Sequence, residues 1–194
     1  MGQRNMSGND PRPPDSTQNI SASTAPDQPP RGDALPFCGD LDMRIARDGT
    51  WFYRGSPIGR KPIVRLFSTV LRREADGQYW LVTPVERGRV VVDDAPFTAV
   101  ELEATGAGRK QVLRFRTNVD AWVEAGPAHP IRVAHDPESG EPSPYILVRD
   151  RLEALIVRSV YYRLVELAVE REHNGETTLG VWSKGTFFPL GSLD

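Results

Sequence analysis

The stretch from Cys38 to Phe67 constrains the fold more than any other part of the chain. It reads C-G-D-L-D-M-R-I-A-R-D-G-T-W-F-Y-R-G-S-P-I-G-R-K-P-I-V-R-L-F. Leu41, Met43 and Ile45 alternate with Asp42, Arg44 and Ala46, the period of a half-buried strand. Asp48-Gly49 is a turn signal. Trp51, Phe52 and Tyr53 form a compact aromatic strand, and Gly55-Ser56-Pro57 turns the chain again. Pro62 suits the first turn of a helix. Ile63, Val64, Leu66 and Phe67 then supply an apolar face at helical spacing. The segment therefore predicts strand, turn, strand, turn and short helix, an α+β beginning.

Ahead of this stretch, residues 1–34 contain only Met1, Met6, Ile20 and small alanines as apolar residues, and prolines recur at positions 11, 13, 14, 26, 29 and 30. Such a segment buries too little apolar surface to offset its chain entropy, which predicts a disordered leader. A variable tail is the simpler reading of it, and a partner-binding segment the sharper one. The folded part is expected to comprise an N-terminal unit over residues 35–94 and a C-terminal unit over 95–194.

Downstream, residues 70–73 and 79–83 flank Ala75-Asp76-Gly77, a hairpin signal. Residues 90–92, 100–103, 112–115, 131–134 and 145–148 read as further strands, and Gly106-Ala107-Gly108 as a turn. Trp122 is a lone large aromatic in a less regular stretch. Asp150 and Glu153 have the spacing of a helix N-cap and its N3 partner. They predict a helix whose apolar face is Leu152, Leu155 and Ile156. Residues 160–169 fit either an extension of that helix or a strand. Asn174-Gly175 favours the strand, because Asn-Gly would join it by a hairpin to residues 178–182.

A repeat supports this order. Ile63-Val64-Arg65 aligns with Ile156-Val157-Arg158, and Phe52 then falls on Tyr145. Both copies read as aromatic strand, turn, short helix, strand, Gly turn, strand. The expected fold class is thus α+β, with duplicated strand–short helix–β-hairpin units forming two small subdomains and a seam between them.

Charge and cysteine content narrow the function. Lys and Arg number 24 against 26 Asp and Glu, a net charge of −2. No basic excess suits a large nucleic-acid footprint. The single cysteine, Cys38, excludes an intramolecular disulfide and the multi-cysteine zinc patterns. No apolar run approaches bilayer length. A cytoplasmic protein without a membrane span, without bound nucleic acid and without a metal or cofactor is the expectation.

Several motifs are specific enough to compare with a family. C-G-D-L-D-M-R-I-A-R-D-G-T-W-F-Y, G-S-P-I-G-R, I-V-R-L-F-S, L-V-T-P-V-E, H-P-I-R, the G-E-P-x-P-Y run and L-G-V-W-S resemble a bacterial family catalogued as domain of unknown function 1285. The resemblance runs from about Phe37 to the C-terminus. It implies a duplicated α+β core whose C-terminal half loosely resembles pleckstrin-homology folds. It also implies a ligand site at the domain interface, for a nucleotide-like molecule, and a role in signal transduction. It carries over no catalytic residues.

The residues themselves offer a few sites. Arg65 and Arg158, the duplicated charges, are read either as solvated arginines or as a pair facing each other across the seam, suited to phosphate or carboxylate. Trp51, Tyr53, Tyr161 and Trp182 are read either as core or as stacking partners for a ring held by those arginines. Cys38 fits a small buried residue better than a nucleophile, since only acids lie beside it. His129, His135 and Asp136 match no metal-ligand spacing. The loop from Gly55 to Lys61 lacks the P-loop pattern but has the glycines and cations of an anion nest. A ligand-binding or signalling module is the leading expectation. A hydrolase acting on a phosphorylated or acyl small molecule and a protein-interaction scaffold are the alternatives.

Overall fold

Alternation of apolar and charged side chains sets most of the strands. Val112–Thr117 shows it best: Leu113, Phe115 and Thr117 are buried, while Arg114 and Arg116 point outward to Glu103 and Glu101. The computed structural model describes residues 36–173 and 176–192. The leader expected over residues 1–34 lies outside the described residues.

The first unit contains β1 (Phe37–Ile45), β2 (Trp51–Tyr53), β3 (Ser56–Pro57), α1 (Lys61–Val70), β4 (Leu71–Arg73), β5 (Tyr79–Val82) and β6 (Arg87–Val92). They form a sheet of order β3-β2-β1-β6-β5-β4, antiparallel except for the parallel pair β1–β6. The second unit contains β7 (Phe97–Thr105), a short 3-10 turn (Gly108–Lys110), β8 (Val112–Thr117), β9 (Trp122–Glu124), β10 (Ile131–His135), β11 (Pro142–Arg149) and β12 (Leu152–Ile156). Its sheet order is β10-β11-β12-β7-β8-β9, with β12 and β7 the parallel pair. The two sheets have one topology. Each is a pair of three-stranded meanders joined through the first strand of one and the last strand of the other.

α2 (Arg158–Glu166) follows, then β13 (Val169–His173), β14 (Glu176–Ser183) and β15 (Thr186–Ser192) as a separate three-stranded antiparallel sheet. Ser183, fully buried, fastens that sheet to the second one. Its hydroxyl donates to the Ala125 carbonyl at 2.7 Å and accepts the Leu113 N–H at 3.0 Å. Buried side chains of all three sheets form one apolar cluster, from Met43 and Trp51 through Phe97 and Phe115 to Val181 and Leu190. Each large side chain buried there contributes about 1.5–3 kcal/mol.

Three expectations need correction. The segment after Asp150 is not a helix but β12. Asp150 takes the left-handed conformation, φ 46°, in a tight turn. Leu152, Ala154 and Ile156 are then buried in alternation, and period two prevails over the capping-box spacing. Residues 158–166 are the helix rather than the strand. Val160 and Leu164, four apart, are its buried residues, and that spacing outweighs the β-prone valines and tyrosines. The strand that pairs across the Asn-Gly site is β13, ending in the His173–Glu176 pair. Asn174 and Gly175 lie outside the described residues. Finally, Ile156 ends a strand whereas Ile63 lies in α1, so Arg65 and Arg158 do not occupy equivalent positions. The duplication is real, but its equivalences run from β1–β6 to β7–β12.

Candidate functional site

The seam between the units is built from side chains that each sends to the other. Asn118, in the β8–β9 turn, donates to the Gly49 carbonyl at 3.1 Å and accepts the Thr98 N–H at 3.2 Å. Gly49 has φ +85°, and a Cβ there would lie 2.6 Å from Asn118 Nδ2. Only glycine closes this turn against the second unit.

α1 is tied to the second unit at both ends. Its first turn contains no acid, and Asp120 supplies one. Lys61 Nζ donates to Asp120 Oδ1 at 2.7 Å, Arg116 Nη1 to the same oxygen at 3.1 Å, and Arg65 Nη1 lies 3.8 Å from Oδ2. At the other end the Ser68 carbonyl accepts the Arg149 guanidinium, while Arg72 donates to the Thr69 and Leu71 carbonyls. The Ser68 carbonyl also accepts the Leu71 N–H, so Arg149 adds a second bond to it, while Arg72 caps the Thr69 and Leu71 carbonyls at the end of the helix.

Lys61, first among several cations, holds the Asp120 carboxyl below the usual carboxylate range. A depressed pKa stabilises the fold above the unfolded value, about 3.9, and that contribution fades as pH falls through the folded value. Asp120→Asn is therefore expected to melt below wild type at neutral pH, with the gap closing as pH falls below the ordinary carboxylate range. Thermal melts across pH check this. A gap independent of pH would show that the charge of Asp120 does not tie α1.

The residues singled out in the sequence occupy separate places. Trp51 is core, 1% exposed and stacked on Phe67 with ring centroids 6.3 Å apart. Tyr53 is exposed beneath the Arg54 guanidinium, 5.2 Å from its ring centre. Arg65 lies at the seam against Asp120. Trp182 belongs to the third sheet, with Arg109 and Arg171 at 4.8 and 5.1 Å from its ring. Arg158 and Tyr161 come together on α2 and line a common cleft. Arg65 does not line it.

That cleft has a volume of about 390 Å³ and lies between Arg47 of the first unit and β11, β12 and α2 of the second. Arg158 Nε donates to the Tyr162 hydroxyl at 2.6 Å, a pair four residues apart on one helix face. Reading residues 160–169 as a strand hid this pair, because that spacing joins side chains only on a helix. Arg47 donates to Ser143 Oγ at 2.9 Å and lies 3.2 Å from Asp94 Oδ2. Burial raises the Tyr161 hydroxyl above its usual pKa, so the ring is neutral at physiological pH. A larger cavity of about 630 Å³ lies within the first unit, between α1 and the β1–β6–β5 face.

Residues 34–95 match the family described as "Domain of unknown function (DUF1285), N-terminal domain", and residues 96–190 match "Protein of unknown function (DUF1285), C-terminal domain". The chain belongs to the DUF1285 family. Two solved structures of DUF1285 proteins are similar to it. The one from Silicibacter pomeroyi DSS-3 is 52% identical, with a TM-score of 0.76 over 86% of this chain and 90% of that one. The one from Shewanella baltica OS155 is 26% identical, with a TM-score of 0.51 over 66% of this chain and 91% of that one. No functionally curated protein matched.

Other groups in this DUF1285 chain have structural partners. Cys38 is exposed, not buried as expected: the start of β1 pairs with β6 but is not covered by the core. Its thiol donates to Glu86 Oε2 at 2.9 Å, and that bond raises its pKa, which disfavours the thiolate a nucleophile needs. His129 Nδ1 lies 3.1 Å from the Leu147 carbonyl. Asp136 accepts the backbone N–H groups of Glu138 and Ser139 and closes its own loop. Among the described residues no helix is long and apolar enough to cross a membrane.

Proposed function

We propose that the protein is a non-enzymatic binding module, and that the cleft between Arg47 and α2 takes a small anionic, ring-bearing molecule of nucleotide-like chemistry. The observation that carries this reading is the state of Arg158. Its Nε is fixed by Tyr162, and among the described residues no carboxylate lies within ion-pair distance of it; the Glu141 carboxylate, which lines the same cleft, acts on it only at longer range. The terminal guanidinium N–H groups are therefore available in a set orientation, suited to a phosphate or carboxylate. The half-buried Tyr161 ring beside it offers a stacking face. The cleft volume falls within the range of small-molecule sites. Among the described residues no histidine lines the cleft, and its serine hydroxyl, Ser143 Oγ, is engaged by Arg47, which favours binding over hydrolysis. A signalling role fits the same reading, since both units border the cleft and occupancy would couple them.

Calorimetry with a panel of mono-, di- and trinucleotides tests the proposal. At least one is expected to bind, and Arg158→Ala should weaken that binding by about 1.5–3 kcal/mol, the range of a charge-assisted bond. Tyr161→Leu should weaken it too. No binding across the panel, or equal binding by Arg158→Ala, would overturn the reading.

A further inference from the structure

The 630 Å³ cavity of the first unit has a different chemistry from the seam. Its walls are apolar: Leu41 and Met43 from β1, Leu81 from β5, and Ile63, Phe67 and Val70 from α1. The α1 residues are only half-buried, so the apolar face of the helix is not fully covered by protein. The opening is built into β1. Gly39 at φ 83° and Asp42 at φ 51° accompany two register shifts against β6, and these displace the strand from a straight course. Leu41 is thereby seated over Gly88, where a Cβ would lie 2.5 Å from Leu41 Cδ2. Gly88 keeps that seat clear.

The rim decides the head group. Asp40 is neutralised by Arg89, with bonds of 2.6 and 2.9 Å, and Arg87 pairs with Glu74 at 2.9 Å. Among the described residues Asp42 and Glu86 have no cation partner, and Glu86 instead accepts the Cys38 thiol. One further cation, Arg54, lies over Tyr53. Among the described residues the unpaired rim charge is therefore negative on balance. We propose that this cavity binds an amphiphile with a single apolar chain and a neutral or cationic head. The chain would complete the contacts of α1 with the sheet. An anionic head would face two exposed carboxylates at the mouth of an apolar cavity and be repelled by them. This site is separate from the cleft at Arg158 and does not depend on it.

The test uses the full-length protein and N-phenyl-1-naphthylamine, a neutral probe that fluoresces in apolar sites. The probe is expected to bind. Near neutral pH, dodecanol and dodecylamine should displace it at concentrations at least about tenfold lower than dodecanoate, the alcohol kept below its solubility limit and the two ionic amphiphiles below their micellar range. Ile63→Glu, a half-buried wall position, should weaken probe binding about tenfold or more by placing a charge in the wall. The exposed rim variant Asp42→Asn/Glu86→Gln should narrow the amine-to-carboxylate preference to about threefold, and it reads the head group even if Ile63→Glu does not fold. Absence of probe binding, displacement by dodecanoate at equal or lower concentration, or an unchanged preference in the rim variant would each overturn the proposal.

Discussion

Gly180→Ala is expected to destabilise the protein by about 3 kcal/mol, near the upper end of the usual overpacking cost. Gly180 is buried in β14 at the position where the pairing with β15 shifts register. A Cβ there would lie 2.6 Å from the Phe188 carbonyl oxygen and closer still to the Phe187 ring. The carbonyl belongs to the strand pairing and cannot retreat without breaking it. The ring is held by Trp182, 5.3 Å away between centroids, and by Arg171, 5.3 Å from the ring centre. Where the backbone tolerates alanine, Gly→Ala stabilises by about 0.4–1 kcal/mol through the unfolded chain. Here the clash outweighs that gain. For a domain of this size the loss corresponds to roughly 6–12 °C in Tm. Urea unfolding with an unchanged slope and a lower midpoint would show it. A loss below about 0.5 kcal/mol would mean that β15 shifts freely, and that the bulge does not depend on glycine.

Much of the secondary structure could be read locally. Asp76-Gly77 does make the hairpin of β4 and β5, with Gly77 at φ 87°. The alternation around Phe115 does mark a strand, and Pro62 does open a helix. Reading failed where two local signals competed. At Leu152–Ile156 an acid spacing typical of a helix start overlapped a period-two apolar pattern. The neighbouring left-handed Asp150, which decides the matter, leaves little trace in sequence. At Arg158–Glu166 the residue types favoured a strand, while Val160 and Leu164 required a helix to face the core together.

The repeat was visible as similarity of order, but its alignment was wrong. The shared property is strand topology, and Ile-Val-Arg happened to occur in both halves. The seam was the least legible part. Asn118, Asp120 and Arg149 are ordinary surface types until the fold places them against Gly49, Lys61 and Ser68. Arg158 and Tyr161 were singled out for an expected pairing with Arg65. What the structure brings to them instead is Tyr162 and Arg47.

The Gly49 turn links stability to the cleft, so Gly49→Ala should impair both. Alanine at φ +85° costs about 1–2 kcal/mol in backbone strain alone. Its Cβ would also push on Asn118 Nδ2 and, at 3.0 Å, on Thr98 Oγ1. The Asn118 amide cannot turn away cheaply, because it satisfies the Gly49 carbonyl and the Thr98 N–H at once. Leaving those groups unpaired adds about 1–3 kcal/mol. The total expected loss is about 3 kcal/mol, to be read from denaturant midpoints. Arg47 lies two residues before this glycine, and the turn bond from Gly49 N–H to the Ala46 carbonyl spans it. Displacing the turn therefore moves Arg47 away from Ser143 and Asp94 and opens the first-unit side of the cleft. If the cleft is the anion site, Gly49→Ala should also weaken nucleotide binding about tenfold at temperatures where the variant remains folded. Asn118→Ala, which removes the same bridge without backbone strain, separates the effects. It should lose less stability than Gly49→Ala and show the same direction of change in binding. Full stability in Gly49→Ala would show that Asn118 does not hold the seam. Lost stability with unchanged nucleotide binding would remove Arg47 from the site.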